Sequence, residues 1–130
     1  MLTNLALLLI RLVVGLIMAG HGSQKLFGWF GGHGLKGTAG FFESIKIKPG
    51  YLMALLAGLG EFAGGLLFAA GVFTWIGALL IIVTMFVALI TVHRKAFWVT
   101  SGGFEYNLIL IVVALAVALT GPGSYVLFHL

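Results

Sequence analysis

Apolar residues run along this chain in four long stretches, Thr3–His21, Tyr51–Ala70, Thr74–Val92 and Phe104–Thr120. Glycine and most charged residues collect in the segments between them. A membrane-spanning helix needs about 20 largely apolar residues, with a range of about 17–25. The first three stretches meet that length, and the fourth sits at its lower edge. The pattern predicts an all-α fold, an integral membrane four-helix bundle built from two antiparallel pairs. No basic segment precedes the first stretch and Arg11 interrupts it, so it reads as a true span rather than a cleaved signal peptide. Gly71 is expected to close the second helix, Thr74 to cap the third, and Gly121-Pro122-Gly123 to end the fourth.

Composition strengthens this reading. Of 130 residues, 62% are hydrophobic and 8% charged, with a mean hydropathy of +1.21. Soluble domains carry roughly 25% charged residues. Seven Lys/Arg and three Glu cannot cover a water-soluble surface of this size, which excludes a soluble enzyme, a disordered tail and a nucleic-acid module. The length fits one domain over residues 1–130. There is no cysteine, so disulfides, thiolate metal sites and dithiol redox pairs are excluded. Electrons, if they pass here, require a bound cofactor or a partner.

Charge placement orients the bundle. Lys25, Lys36, Lys46, Lys48, Arg94 and Lys95 all fall in the connections 22–50 and 93–103 or at their edges, and none falls on the opposite side. By the positive-inside rule these connections are cytoplasmic and both termini lie outside, in a multi-pass cell-membrane protein. The 22–50 connection mixes glycines with Phe27, Trp29, Phe30, Phe41 and Phe42. Aromatic rings beside lysines favour the headgroup region, so the segment reads as interfacial or shallowly re-entrant, with a short helix near Thr38–Ile45.

Polar residues inside the apolar stretches carry the candidate chemistry. Arg11 and Glu61 each lie ten residues from the expected cytoplasmic ends of their helices, His21 and Tyr51. At 1.5 Å per residue both fall about 15 Å deep, near the middle of the bilayer. Asn4, Arg11, Gly15, Gly22 and Lys25 share one stripe, and Ala54, Ala57, Gly58, Gly64 and Gly65 flank Glu61 on another. Equal depth and close-packing faces predict a buried Arg11–Glu61 ion pair. Such a pair either fixes packing or handles protons and ligands. A stripe of Gly77, Thr84, Ala88, Thr91 and Lys95 on the third helix reads as packing, because threonines in spans bond back to their own backbone.

His21 and His93 end the first and third spans at the level where Glu105, Tyr106 and Asn107 begin the fourth. His21, Lys25, His93, Glu105 and Asn107 are therefore expected to converge in a polar rim above the ion pair. Imidazole titrates near neutral pH, so this rim suits the carbonyl oxygens of a quinone and proton delivery to them. His21 and Glu105 are the candidate catalytic groups, with Lys25, His93 and Asn107 as binding groups. Capping or headgroup contact is the plainer role for His21. Two histidines on separate helices lack metal-ligand spacing, so no metal is expected, and His33 and His129 read as exposed residues without a role.

These segments resemble the DoxX family of small bacterial and archaeal membrane proteins. The resemblance rests on His21-Gly-Ser-Gln-Lys-Leu-Phe-Gly28, Gly34-Leu-Lys-Gly-Thr-Ala-Gly-Phe-Phe42 and Gly58-Leu-Gly-Glu-Phe-Ala-Gly-Gly65. Phe97-Trp98, Gly103-Phe-Glu-Tyr-Asn107 and Gly121-Pro-Gly123 add to it. The tail departs from the family pattern, since Gly123 is followed by Ser-Tyr-Val-Leu-Phe rather than a Ser-Leu-Asp-like end. The resemblance implies a four-helix membrane protein linked to quinone-dependent oxidation of thiosulfate or thiols, or to resistance against catechols, quinones and oxidative stress. It attaches no catalytic residue set.

Two function classes follow: an oxidoreductase or oxidoreductase subunit exchanging electrons with the membrane quinone pool, or a non-catalytic anchor for a soluble redox partner protein. Transport is a weaker reading, since four spans offer little pathway without a homo-oligomer. Gly60-x-x-x-Gly64 offers one surface for such association. The topology is directly testable because the chain has no native thiol. A cysteine at Ser44 should be protected from an impermeant reagent in intact cells while one at Ser124 is labelled, and the reverse pattern overturns the orientation.

Overall fold

The computed structural model describes residues 1–129. Its helices are α1 (Leu2–Phe27), α2 (Gly34–Ser44), α3 (Gly50–Ala70), α4 (Thr74–Thr91) and α5 (Glu105–Thr120), with no strand among the described residues. Trp29–Gly31 and Val99–Ser101 form single 3₁₀ turns. Helices α1, α3 and α4 are long and apolar enough to cross a membrane, and α5 is a shorter apolar helix. Large side chains such as Leu9, Leu16, Leu56, Phe86, Val112 and Leu119 are exposed along the outer faces, as lipid contact requires. The chain is an all-α integral membrane protein.

Glycine sets the tightest joint. A Cβ at Gly15 would lie 2.6 Å from the Ala69 amide nitrogen, and one at Gly22 would lie 2.7 Å from the Gly58 carbonyl oxygen. The backbones of α1 and α3 therefore touch along two turns, in antiparallel register, as small-residue faces allow in lipid. Met18 on α1, Phe68 on α3, Ile81 and Met85 on α4, and Leu110 and Val117 on α5 fill the space between the helices. The four long helices thus share one core.

The helix ends differ from expectation in instructive ways. α1 does not stop at His21 but continues to Phe27, where Gly28 turns left-handed at φ 74° and closes it. Left-handed Gly71 closes α3, with its N–H on the Leu67 and Phe68 carbonyls. Thr74 is not the cap of α4; Phe73 holds that position, and the buried Thr74 hydroxyl has no hydrogen-bond partner. The short helix in the first connection begins at Gly34 rather than Thr38, and it packs on α1 and α3.

The longer α1 also moves Arg11. With Gly15 against Gly65 and Ala69, and Gly22 against Gly58 and Phe62, Arg11 falls beside the far end of α3. It is separated from Glu61 by about ten residues of helix, or ~15 Å. The expected Arg11–Glu61 pair is not formed. Arg11, 1% exposed, instead donates to four main-chain carbonyls. Nε reaches Phe68 at 3.3 Å, and Nη1 reaches Pro122 at 2.7 Å. Nη2 reaches Ala69 at 3.2 Å and Tyr125 at 2.7 Å. Two of these carbonyls belong to the C-terminal turn of α3, the negative end of its dipole. A guanidinium offers five donors and no acceptor, so carbonyls serve it as well as a carboxylate does.

Arg11 thereby ties the segment after α5 to the 71–73 turn. The Ser124 N–H on Asn4 Oδ1 (3.1 Å) and the Leu127 N–H on the Ala70 carbonyl (2.9 Å) reinforce the tie. The termini and this turn occupy one end of the bundle. The connections 28–33, 45–49 and 92–104, with α2, occupy the other, and the candidate site lies there.

Candidate functional site

The last turns of α1 carry His21, Gln24 and Lys25, spaced three and four residues apart and so on one helix face. Continuation of α1 past His21 points this face into the bundle. Lys25 Nζ donates to both carboxylate oxygens of Glu61, at 2.7 Å to Oε1, and forms the salt bridge with Oε2. Glu61 is 2% exposed and the Lys25 side chain 27%. The pair is asymmetric: the acid is sealed between helices while the amine reaches in from the edge.

Gln24 joins its two neighbours to the connection that follows. Its Nε2 donates to the Phe30 carbonyl at 3.2 Å, which leaves Oε1 facing His21 Nδ1, also at 3.2 Å. With Gln24 so oriented, Nδ1 donates to Oε1 and Nε2 is the ring nitrogen left for another partner. The His21 ring also meets the edge of Tyr106, with centroids 6.2 Å apart. His93 Nδ1 is 2.8 Å from the Gly102 carbonyl, so its Nε2 is likewise the free nitrogen.

Two cavities meet around these groups. The larger, of about 570 Å³, lies among α1, α2, α3 and α4. Its walls are mostly apolar and include Phe41, Phe42, Met53, Leu56, Val83 and Val87. The smaller, of about 180 Å³, lies toward α5 and the 92–104 connection. His21, Lys25, Glu61, Ala88 and His93 line both. The ion pair and two histidines therefore stand where the two cavities meet.

The structure brings together His21, Lys25, His93 and Asn107, four of the five expected rim residues. Asn107 is buried, with Nδ2 3.5 Å from the Met85 carbonyl. Glu105 is not among them. It lines neither cavity, and its Oε1 accepts the Val99 N–H at 3.1 Å. As the first residue of α5 it turns back on its own connection, one step out of phase with the inward-facing Asn107. Glu61 takes its place at the site. The sequence pointed to Glu61 as a buried acid but placed it opposite the wrong cation, because the helical reach of Lys25 was hidden by ending α1 too early. Gln24 and His33 were also missed. His33 is an exposed residue, yet it borders the larger cavity. Thr84 and Thr91 do bond to their own helix, at 2.9 Å to Leu80 and 2.6 Å to Val87. No cluster of three or more His, Asp or Glu that could hold a metal occurs among the described residues.

Residues 6–94, which take in most of α1, all of α2 to α4 and the cavity-lining Lys25, Glu61, His21 and His93, match the DoxX family. The chain belongs to the DoxX family. It is also similar to a curated protein of Bacillus subtilis (strain 168) named "Putative oxidoreductase CatD". The two are 34% identical over 114 residues, which cover 88% of this chain and 78% of that protein. No solved structure shows a significant match to this chain. The DoxX match ends before α5, so Glu105 and Asn107 lie outside it, whereas Lys25, Glu61 and His93 lie within.

The asymmetry of the pair predicts unequal mutants in denaturant unfolding of the detergent-solubilised DoxX protein. Lys25→Met leaves a buried carboxylate without its cation and should cost about 3 kcal/mol. Glu61→Leu should cost less, since Lys25 can turn its amine to water. The Lys25→Met/Glu61→Leu double variant should recover at least ~1 kcal/mol of the summed loss, while Arg11→Leu with Glu61→Leu should add within about 0.5 kcal/mol. Additivity in the first cycle, or coupling in the second, contradicts the pairing.

Proposed function

We propose that this protein is a membrane oxidoreductase, or a subunit of one, that binds a quinone headgroup in the larger cavity. The observation that carries the reading is an apolar chamber of about 570 Å³ with a buried Lys25–Glu61 pair and His21 in its wall. Small-molecule sites are of this kind: about 300–1,000 Å³, mostly apolar, with a few convergent polar groups. The name of the Bacillus subtilis relative supports the same class of activity.

The residues fit such a ligand. Lys25 directs hydrogen bonds at both oxygens of Glu61 and has a third N–H to spare. His21 Nε2 accepts from a hydroxyl when the ring is neutral and donates to a carbonyl oxygen only when the ring is protonated. Phe41 and Phe42 offer flat faces to a ring, and Leu56, Val83 and Val87 offer apolar contacts to a tail. A bound quinone supplies the two-electron, two-proton chemistry that this chain, lacking cysteine, does not contain. The chain's own share is to bind and orient the headgroup and to hold protons at His21 Nε2 and Lys25 Nζ. The electron donor is then a soluble partner or a small reductant.

Binding tests this before turnover does. Purified protein in lipid nanodiscs should bind a short-tailed ubiquinone or menaquinone analogue, measured by equilibrium titration. His21→Ala combined with Lys25→Met should weaken it at least tenfold, the loss of about 1.4 kcal/mol of contact. Glu105→Gln should leave affinity within twofold. A folded His21→Ala/Lys25→Met protein with wild-type affinity removes the site. Absence of binding by the native protein for both quinone types favours the anchor for a soluble redox partner.

A further inference from the structure

The smaller cavity is not a second ligand pocket. At about 180 Å³ it falls below the volume of drug-sized ligand sites, about 300–1,000 Å³. A water molecule takes about 30 Å³ in the liquid, so the space suits roughly half a dozen waters. Its walls supply partners for them. Six of its ten lining residues, His21, Lys25, Glu61, His93, Tyr106 and Asn107, have polar side chains. Buried water needs two to four such partners, and here they are clustered.

Its outer boundary points the same way. Val99 and Gly103 belong to the 92–104 connection, which carries exposed Arg94 and Lys95. That boundary is fastened rather than loose. Glu105 holds the Val99 N–H, His93 holds the Gly102 carbonyl, and the Gly103 N–H bonds to the Trp98 carbonyl at 2.9 Å. Glu105 and His93 are thus positioning residues for the rim.

We infer that the smaller cavity is an aqueous inlet that carries water and hydronium to the Lys25–Glu61 pair. The purpose of the inlet rests on the quinone reading; its existence does not. A proton that leaves Lys25 Nζ toward the larger cavity breaks one N–H bond. A hydronium ion in the inlet re-forms it and stays behind as water, so protons balance and no electron moves.

The cysteine-free chain allows a test that does not depend on quinone binding. Ala88 lines both cavities, so Ala88→Cys reports on whichever route water takes. A small, permanently charged methanethiosulfonate reagent is applied to the protein in nanodiscs, with Ser44→Cys as a control for surface labelling. Val99 lines only the smaller cavity, and Val99→Trp should cover its mouth. The inlet predicts that Ala88→Cys is labelled, that Val99→Trp slows this labelling at least tenfold, and that Ser44→Cys is labelled equally in both backgrounds. Labelling unaffected by Val99→Trp overturns the inlet, as does a folded Ala88→Cys protein that the reagent never reaches. If Val99→Trp disturbs the fold, Val99→Phe and Val99→Leu provide graded plugs whose order of labelling should follow their size. Failure of quinone to bind, with labelling still controlled at position 99, discards the quinone reading and keeps the inlet.

Discussion

A carboxylate sealed inside a membrane protein must have a partner, and that requirement organises one end of this molecule. Glu61 faces the interior of the bundle, where an unpaired charge costs at least a few kcal/mol. Its partner reaches it only because α1 and α3 touch. Gly22 and Gly58 remove the side chains that would hold the helices apart, and Lys25, one turn beyond Gly22, spans what remains. The same contact fixes where His21 stands. The site is therefore a consequence of backbone packing, and the chemistry rides on glycines that carry none.

The opposite end solves the same problem differently. Arg11 is as deeply buried as Glu61, yet among the described residues no carboxylate pairs with it. Four carbonyls, two from the last turn of α3 and two from the segment after α5, spread its charge over main-chain dipoles. That arrangement draws residues 122–127 onto the C-terminal end of α3. One buried charge builds structure and the other sits at the cavities. In composition they look alike.

The helical architecture was legible because the bilayer sets a strong rule: backbone groups must pair within each helix, and length counts residues. The turns at Gly71 and Gly121 were legible for the same reason that glycine tolerates them. Pairing of the charges was not. The depth argument used helix ends read from hydropathy, and hydropathy falls at His21 although the helix continues through Ser23, Gln24 and Lys25 to Gly28. A polar last turn is invisible to an apolar count, yet it carries two of the cavity-lining residues, Gln24 and Lys25. Glu105 failed for a neighbouring reason. The sequence gives its level along the bundle, but the first residue of a helix takes its direction from the loop it closes, here through the Val99 N–H.

The account's central claim is that Glu61 is held by Lys25 and not by Arg11. Solid-state NMR on protein in bilayers, with ¹⁵N at the Lys25 side-chain nitrogen and ¹³C at the Glu61 carboxyl carbon, measures that contact directly through the dipolar coupling. A coupling matching a Lys25 Nζ to Glu61 Oε1 contact of 2.7 Å is the predicted result. Loss of that coupling, with a strong one between the Arg11 guanidinium nitrogens and the Glu61 carboxyl carbon, would contradict it.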